Sequence, residues 1–270
     1  MNFLDQLPER YRLILCDLWG CVHNGVALYP GAADRLIRWR EEGRCVVLIT
    51  NAPRTSEYVQ RQVTELGLPS NAWDAITTGG EAGIEALSAL NSTVGFLGTR
   101  MDRNVLEDRG IAIRDGDGFD HLACTGLDPD RPAVQDYSGD LQRWSRRGVV
   151  MHCLNPDRVV VRGDALELCA GSLADAFEAE GGKVRWYGKP FPAIYEHALK
   201  LGGNPGKDQV VAVGDGLQTD VLGAALNELD CVFVAGGIHG GGAFPADFGE
   251  KHGLGEWKPV AVVPALASTR

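Results

Sequence analysis

The chain has 270 residues, 44% of them apolar and 23% charged, and 36 acidic against 26 basic residues give a formal charge of −10. That length accommodates one large or two modest domains with cores of their own, and that charge repels nucleic acid and anionic membranes. No apolar run reaches the length of a membrane helix, and residues 1–12 lack a basic segment followed by an apolar one, so the expectation is a cytoplasmic protein with no membrane partner.

The first element is the apolar run from Leu13 through Cys16, ending in Asp17-Leu18-Trp19-Gly20-Cys21-Val22. Such runs read as buried parallel strands, and a polar residue at the carboxyl end of one stands where open α/β sheets bind ligands. Pro30-Gly31 then opens a helical pattern over residues 32–42, closed by Gly43, and a second strand over residues 45–50 ends in Thr50-Asn51. A helix over residues 56–66, a short strand over 75–78 and a helix over 81–90 continue the alternation. The predicted architecture is α/β: a Rossmann-like, doubly wound parallel sheet.

From about Thr93 the character changes. Strands are predicted over residues 94–97, 121–124 and 149–153, with a helix over 132–146 and turn-rich patches at Asp115-Gly116-Asp117-Gly118 and Asp128-Pro129-Asp130. A separate α/β unit inserted over residues 77–186 accounts for this, leaving residues 1–76 and 187–270 as the core. The core pattern returns with residues 184–188, a helix over 192–201, the strand Gln209-Val210-Val211-Ala212-Val213 before Gly214-Asp215, and a strand over 231–234. A glycine-rich turn over 236–242 follows, and the segment beyond Lys258 is predicted to form a short edge. That glycine run lacks the spacing and following helix of a dinucleotide fingerprint.

Seven cysteines, Cys16, Cys21, Cys45, Cys124, Cys153, Cys169 and Cys231, form no C-x-x-C pair and are odd in number. They read as reduced thiols, mostly core residues. Cys21 and Cys169 stand apart because they fall beside glycines in loops.

Strand ends deliver Asp17, then Thr50 and Asn51, then Asp215 with Asp220 nearby, and Gly188-Lys189-Pro190 adds a lysine in a turn. Gathered at one sheet edge, these residues make an acidic pocket with a single positive charge. Carboxylate oxygens suit Mg²⁺, while a hydroxyl, backbone N–H groups and the lysine suit a phosphoryl group.

These motifs, in this order and each after a strand, resemble the haloacid dehalogenase (HAD) superfamily, and more closely its class IIA, with a large α/β cap between the second and third motifs. Asn155-Pro156-Asp157 and Cys169-Ala170-Gly171-Ser172 resemble cap elements of that class. The resemblance implies an Mg²⁺-dependent phosphatase acting on a small phosphorylated metabolite, with dimerisation through the cap. It makes Asp17 the nucleophile, and Asp17, Asp215, Asp220 and the backbone carbonyl of Trp19 the metal site. Thr50, Asn51 and Lys189 would then hold the phosphoryl group.

One position departs from the pattern. Two residues after the nucleophile, the family's phosphatases usually carry a second aspartate that acts as acid and base, whereas this chain has Trp19. Three expectations compete: an acid from elsewhere, with His23 and His239 as candidates; a leaving group that needs no acid; or a phospholigand-binding protein with little or no turnover. HAD dehalogenases and phosphonatases also lack the second aspartate. Dehalogenation needs no metal, so the pair Asp215 and Asp220 argues against it, and phosphonatases have a small cap.

Overall fold

The computed structural model describes residues 3–162, 165–237 and 243–267. Its strands are β1 Leu13–Asp17, β2 Cys45–Thr50, β3 Ala75–Thr78, β4 Val94–Leu97, β5 His121–Cys124, β6 Val150–Cys153, β7 Val159–Arg162, β8 Ala165–Leu168, β9 Lys183–Trp186, β10 Val210–Gly214, β11 Asp230–Val234 and β12 Ala261–Val263. The helices are α1 Ala32–Glu41, α2 Ser56–Glu65, α3 Gly79–Ser88, α4 Arg100–Asp108, α5 Ser138–Arg146, α6 Ala170–Ala179, α7 Pro192–Leu201, α8 Leu222–Leu226 and α9 Phe248–Lys251. The chain divides into two compact units, one of Met1–Thr50, Glu57–Thr77 and Lys189–Arg270, the other of Asn51–Ser56 and Thr78–Gly188.

The first unit is built on a six-stranded sheet of order β12-β11-β10-β1-β2-β3. β1 pairs in parallel with both β10 and β2, and β11 pairs in parallel with β10 and β12. Every residue of β1 and of β10 is buried, as a strand covered on both faces requires. Chain order runs outward from β1 in both directions, so β1 lies at the switch point, and Asp17 is its last residue. α1 turns Ala32, Leu36 and Trp39 inward, together with Arg35. The guanidinium is accommodated because Nη1 donates to the Leu4 carbonyl at 2.8 Å and Nε to the Leu266 carbonyl at 3.1 Å. Gly43, at φ 82°, ends α1 by donating to the Arg40 carbonyl.

The second unit has its own parallel sheet of order β4-β5-β6-β9. Its core holds Leu122, Tyr137, Leu141, Met151, Leu173 and Phe177, each almost wholly buried. Several features depart from the sequence reading. β9, read with the returning core segments although it lies inside the insertion bounds 77–186, is the edge of this second sheet. The helix expected from residue 132 starts as a 3₁₀ turn, Val134–Tyr137, where the Asp136 carboxylate accepts from the Ala133 N–H at 3.0 Å, and α5 begins only at Ser138. The antiparallel ribbon β7–β8 was not expected: it leaves Val159, Leu166 and Leu168 exposed, so its sequence lacks the apolar-in, polar-out alternation of a half-buried strand.

Candidate active site

Within the first unit, β1, β10 and the turn after residue 188 bring Asp17, Asp215, Asp220 and Lys189 together, all at least 95% buried. Lys189 Nζ donates to Asp17 Oδ1 at 2.5 Å and to Asp220 Oδ1 at 2.8 Å. Asp220 is held by a π-turn, Leu217–Val221, in which the Gly216 carbonyl accepts from both the Asp220 and Val221 N–H groups. Its second oxygen, Oδ2, accepts from the Gly216 N–H at 3.1 Å and from Thr219 Oγ1 at 3.3 Å. Both Asp220 oxygens are therefore engaged, which makes this residue an anchor for Lys189 and for its own turn.

The cluster holds three carboxylates and one ammonium, leaving two formal negative charges in excess. Burial, then the Asp220 carboxylate, pushes the Asp17 carboxyl well above the usual carboxylate range. On Lys189, burial is outweighed by Asp17 and then Asp220, which keep the ammonium charged. A divalent cation fits this arrangement by charge and by donor set. One ligand atom from each of Asp17, Cys21 and Asp215 lies within 4.8 Å of the other two, and all three residues are buried.

Glycines shape the space around these carboxylates. Gly20 adopts φ +87°, a conformation that side chains disfavour, and a Cβ there would overlap the Asp215 carboxylate. A Cβ at Gly237 would overlap the same carboxylate, and one at Gly214 would strike Asp220. The approach of Asp215 to the backbone on two sides thus depends on residues without side chains.

Thr50 is buried and stands one residue beyond Ile49, the register partner of Asp17, so it ends the neighbouring strand at the same edge. Asn51 belongs to the second unit, where its Nδ2 donates to Asp157 Oδ1 at 2.9 Å; the Asp157 N–H in turn donates to Asn155 Oδ1 at 3.1 Å. The expected site residues therefore divide, with Asp17, Thr50, Lys189, Asp215 and Asp220 in one unit and Asn51 in the other.

Trp19 turns back onto its own loop. Its indole meets the His23 ring edge-on, with centroids 5.3 Å apart, and a Cβ at Gly25 would strike its six-membered ring. His23 is 1% exposed, and its Nδ1 accepts from the Gly25 N–H at 2.9 Å. Burial lowers its pKa to about 4, so near neutral pH it is an uncharged loop anchor without the imidazolium proton an acid would donate. His239 lies outside the described residues.

Two features of the site went unread in the sequence: the Gly20 and Gly237 cradle, and the position of Cys21 beside Asp17 and Asp215. The Asp-x-x-Gly-Cys spacing held the second signal, since it sets a thiol four residues after Asp17 in a turn that doubles back. None of the seven cysteines is in a disulfide.

Residues 14–112 match the family described as haloacid dehalogenase-like hydrolase, and residues 186–268 match a second HAD-hydrolase-like family. A solved haloacid dehalogenase-like hydrolase from Brucella suis 1330 is 34% identical, with a TM-score of 0.82 and 98% of each chain covered. Among curated proteins, the acid sugar phosphatase of Staphylococcus haemolyticus is 24% identical over 85% of this chain and 87% of its own length. The ribonucleotide monophosphatase NagD of Escherichia coli is 25% identical over 83% of this chain and 88% of its own. With the parallel α/β core and the acidic cluster at its switch point, these likenesses establish that the chain belongs to the haloacid dehalogenase-like hydrolases, in their class IIA.

Proposed function

We propose that this hydrolase of phosphoric esters acts on a small phosphomonoester through a covalent aspartyl phosphate formed on Asp17. The observation that carries the reading is the buried cluster of Asp17, Lys189, Asp215 and Asp220, with its excess of two negative charges. Asp17, Asp215 and the Trp19 carbonyl are the groups that would hold Mg²⁺. When bound, the ion supplies positive charge against the phosphoryl oxygens and the carboxylates.

In the first step an Asp17 carboxylate oxygen attacks phosphorus, an acyl-phosphate bond forms, and the bond to the leaving oxygen breaks. Lys189 lets the two anions approach by neutralising charge on Asp17, and Asp220 holds the lysine in place. Thr50 and the backbone at Asn51 are assigned to the phosphoryl oxygens. A water molecule then cleaves the acyl phosphate, releasing inorganic phosphate and restoring the carboxylate. The second unit is assigned the part of a cap that selects the substrate.

The leaving oxygen must collect a proton, and neither the indole of Trp19 nor the buried neutral His23 offers one. This favours esters with good leaving groups, and the same observation supports a second reading, a phospholigand-binding protein with little turnover. Relatives named for sugar, ribonucleotide and D-glycerol 3-phosphate phosphatase activities support a small phosphorylated metabolite as the ligand under both readings.

The test is phosphate release from a panel of alkyl and aryl phosphomonoesters, with and without Mg²⁺, for the wild type beside Asp17→Asn. Metal-dependent release abolished by the substitution is the expected result. Release that survives in Asp17→Asn would reject Asp17 as nucleophile, and no release above that variant would favour the binding protein.

A further inference from the structure

Cys21 is 2% exposed, and among the described residues its thiol makes no hydrogen bond. Its Sγ nevertheless lies within 4.8 Å of a carboxylate oxygen of both Asp17 and Asp215. The turn that brings it there requires Gly20 at φ +87°, packed against the Asp215 carboxylate. A buried, unpartnered sulfur aimed at two carboxylates is a third donor of different chemical character from the other two.

Mg²⁺ prefers oxygen ligands only, whereas Zn²⁺, Co²⁺ and Cd²⁺ gain from a thiolate. We infer that Cys21, Asp17 and Asp215 form a mixed sulfur and oxygen site that takes a thiophilic divalent cation in preference to Mg²⁺. On binding, the Cys21 thiol releases its proton to solvent and a sulfur–metal bond forms, with no change of oxidation state. Because the cation would share Asp17 with the proposed nucleophile, such an ion regulates the same site that Mg²⁺ serves. This inference rests on the divalent-cation reading of Asp17 and Asp215.

The experiment titrates the full-length protein with Cd²⁺ and, separately, with Mg²⁺. Calorimetry measures affinity and ultraviolet absorption measures thiolate-to-cadmium charge transfer, for the wild type, Cys21→Ser, Cys21→Ala and Asp215→Asn, with circular dichroism reporting the fold. The expected result is one equivalent of Cd²⁺ with a charge-transfer band in the wild type. Both cysteine variants lose the band and bind Cd²⁺ more weakly by more than the roughly 10- to 100-fold that loss of an outer partner costs a metal site. Their Mg²⁺ affinity holds, and Asp215→Asn weakens both cations. A band that persists in a folded Cys21→Ser or Cys21→Ala would overturn the assignment of the thiol. Cd²⁺ binding without a band would also overturn it, while leaving the two carboxylates as a cation site. Binding of neither cation to the wild type would overturn the inference together with the reading beneath it.

Discussion

Lys189 Nζ stands 2.5 Å from Asp17 Oδ1, with both side chains about 95% buried and drawn from positions 172 residues apart. The contact joins the first strand of the sheet to the turn before α7, and it sets one ammonium among three carboxylates. The balance of charge at this point governs both the stability of the first unit and what it can bind.

Removing the ammonium leaves the buried Asp17 and Asp220 carboxylates without their shared cation. Breaking one side of a buried ion pair costs about 3–5 kcal/mol, more than the intact pair contributes, because the remaining charge is stranded. Lys189→Met is therefore expected to lower the unfolding free energy, read from urea titration, by an amount in that range. Adding Asp17→Asn to it should recover part of the loss, since the stranded charge goes as well. A double variant no more stable than Lys189→Met alone would place the cost elsewhere, in packing.

Gly20 and Gly43 offer a controlled comparison. Both have positive φ, +87° and +82°, but a Cβ at Gly43 meets nothing within 4 Å while one at Gly20 overlaps Asp215. Alanine at either position carries the left-handed penalty of about 1–2 kcal/mol. Only Gly20→Ala is expected to displace Asp215 as well, and so to weaken Mg²⁺ binding by calorimetry. Equal Mg²⁺ affinity in the two variants would show that Asp215 tolerates the intrusion.

Much of the parallel framework was legible in the chain. The runs 45–50, 75–78, 94–97 and 121–124 are short, apolar and bounded by turn residues, and each forms a strand over those bounds. α4 was missed although its start carries a capping signal: the Thr99 hydroxyl accepts from the Asp102 N–H, and donates to that residue's carboxylate at 2.8 Å. α3 begins at Gly79, two residues before its expected start, because Thr78 caps it by accepting from the Glu81 N–H. The acidic residues of the site could be found because strand ends announce them. Their surroundings could not, since the fit of Gly237 against Asp215 depends on how separate loops meet, and the fold of Trp19 onto Gly25 on how one loop doubles back.

Two buried histidines give the protein a predictable response to acid. His23 and His152 both have pKa values lowered to about 4, chiefly by burial, with His152 lowered further by His121 and Arg185. Unfolded, each returns to about 6.5. Between these values the unfolded chain binds protons that the native histidines refuse, so the contribution of this pair to stability rises with pH from about 4 to 6.5 and is lost on acidification through that window, opposite in sign to that of Asp17. Each group contributes a slope of up to about 1.36 kcal/mol per pH unit. His23→Asn keeps an acceptor for the Gly25 N–H and removes the titration. Urea midpoints measured from pH 4 to 7 should therefore change less steeply in His23→Asn than in the wild type; an unaltered slope would mean that His23 is not a proton-refusing group.

The missing acid makes the sharpest prediction about turnover. A positioned acid or base is worth roughly 10²- to 10⁴-fold in rate, and in the proposed mechanism Trp19 takes the place of one. Trp19→Asp should therefore speed hydrolysis of alkyl phosphates, whose leaving oxygens need a proton, and change little for aryl phosphates, whose leaving groups depart unaided. The substitution also strips an indole from Gly25 and His23, so the folded loop is expected to lose stability. Trp19→Ala loses the same packing and supplies no acid, which isolates the chemical effect. A kcat for alkyl phosphates that rises in Trp19→Asp and not in Trp19→Ala would assign the slow step to proton delivery. Equal rates in the two variants would remove the missing acid as the limit on turnover and favour the phospholigand-binding reading.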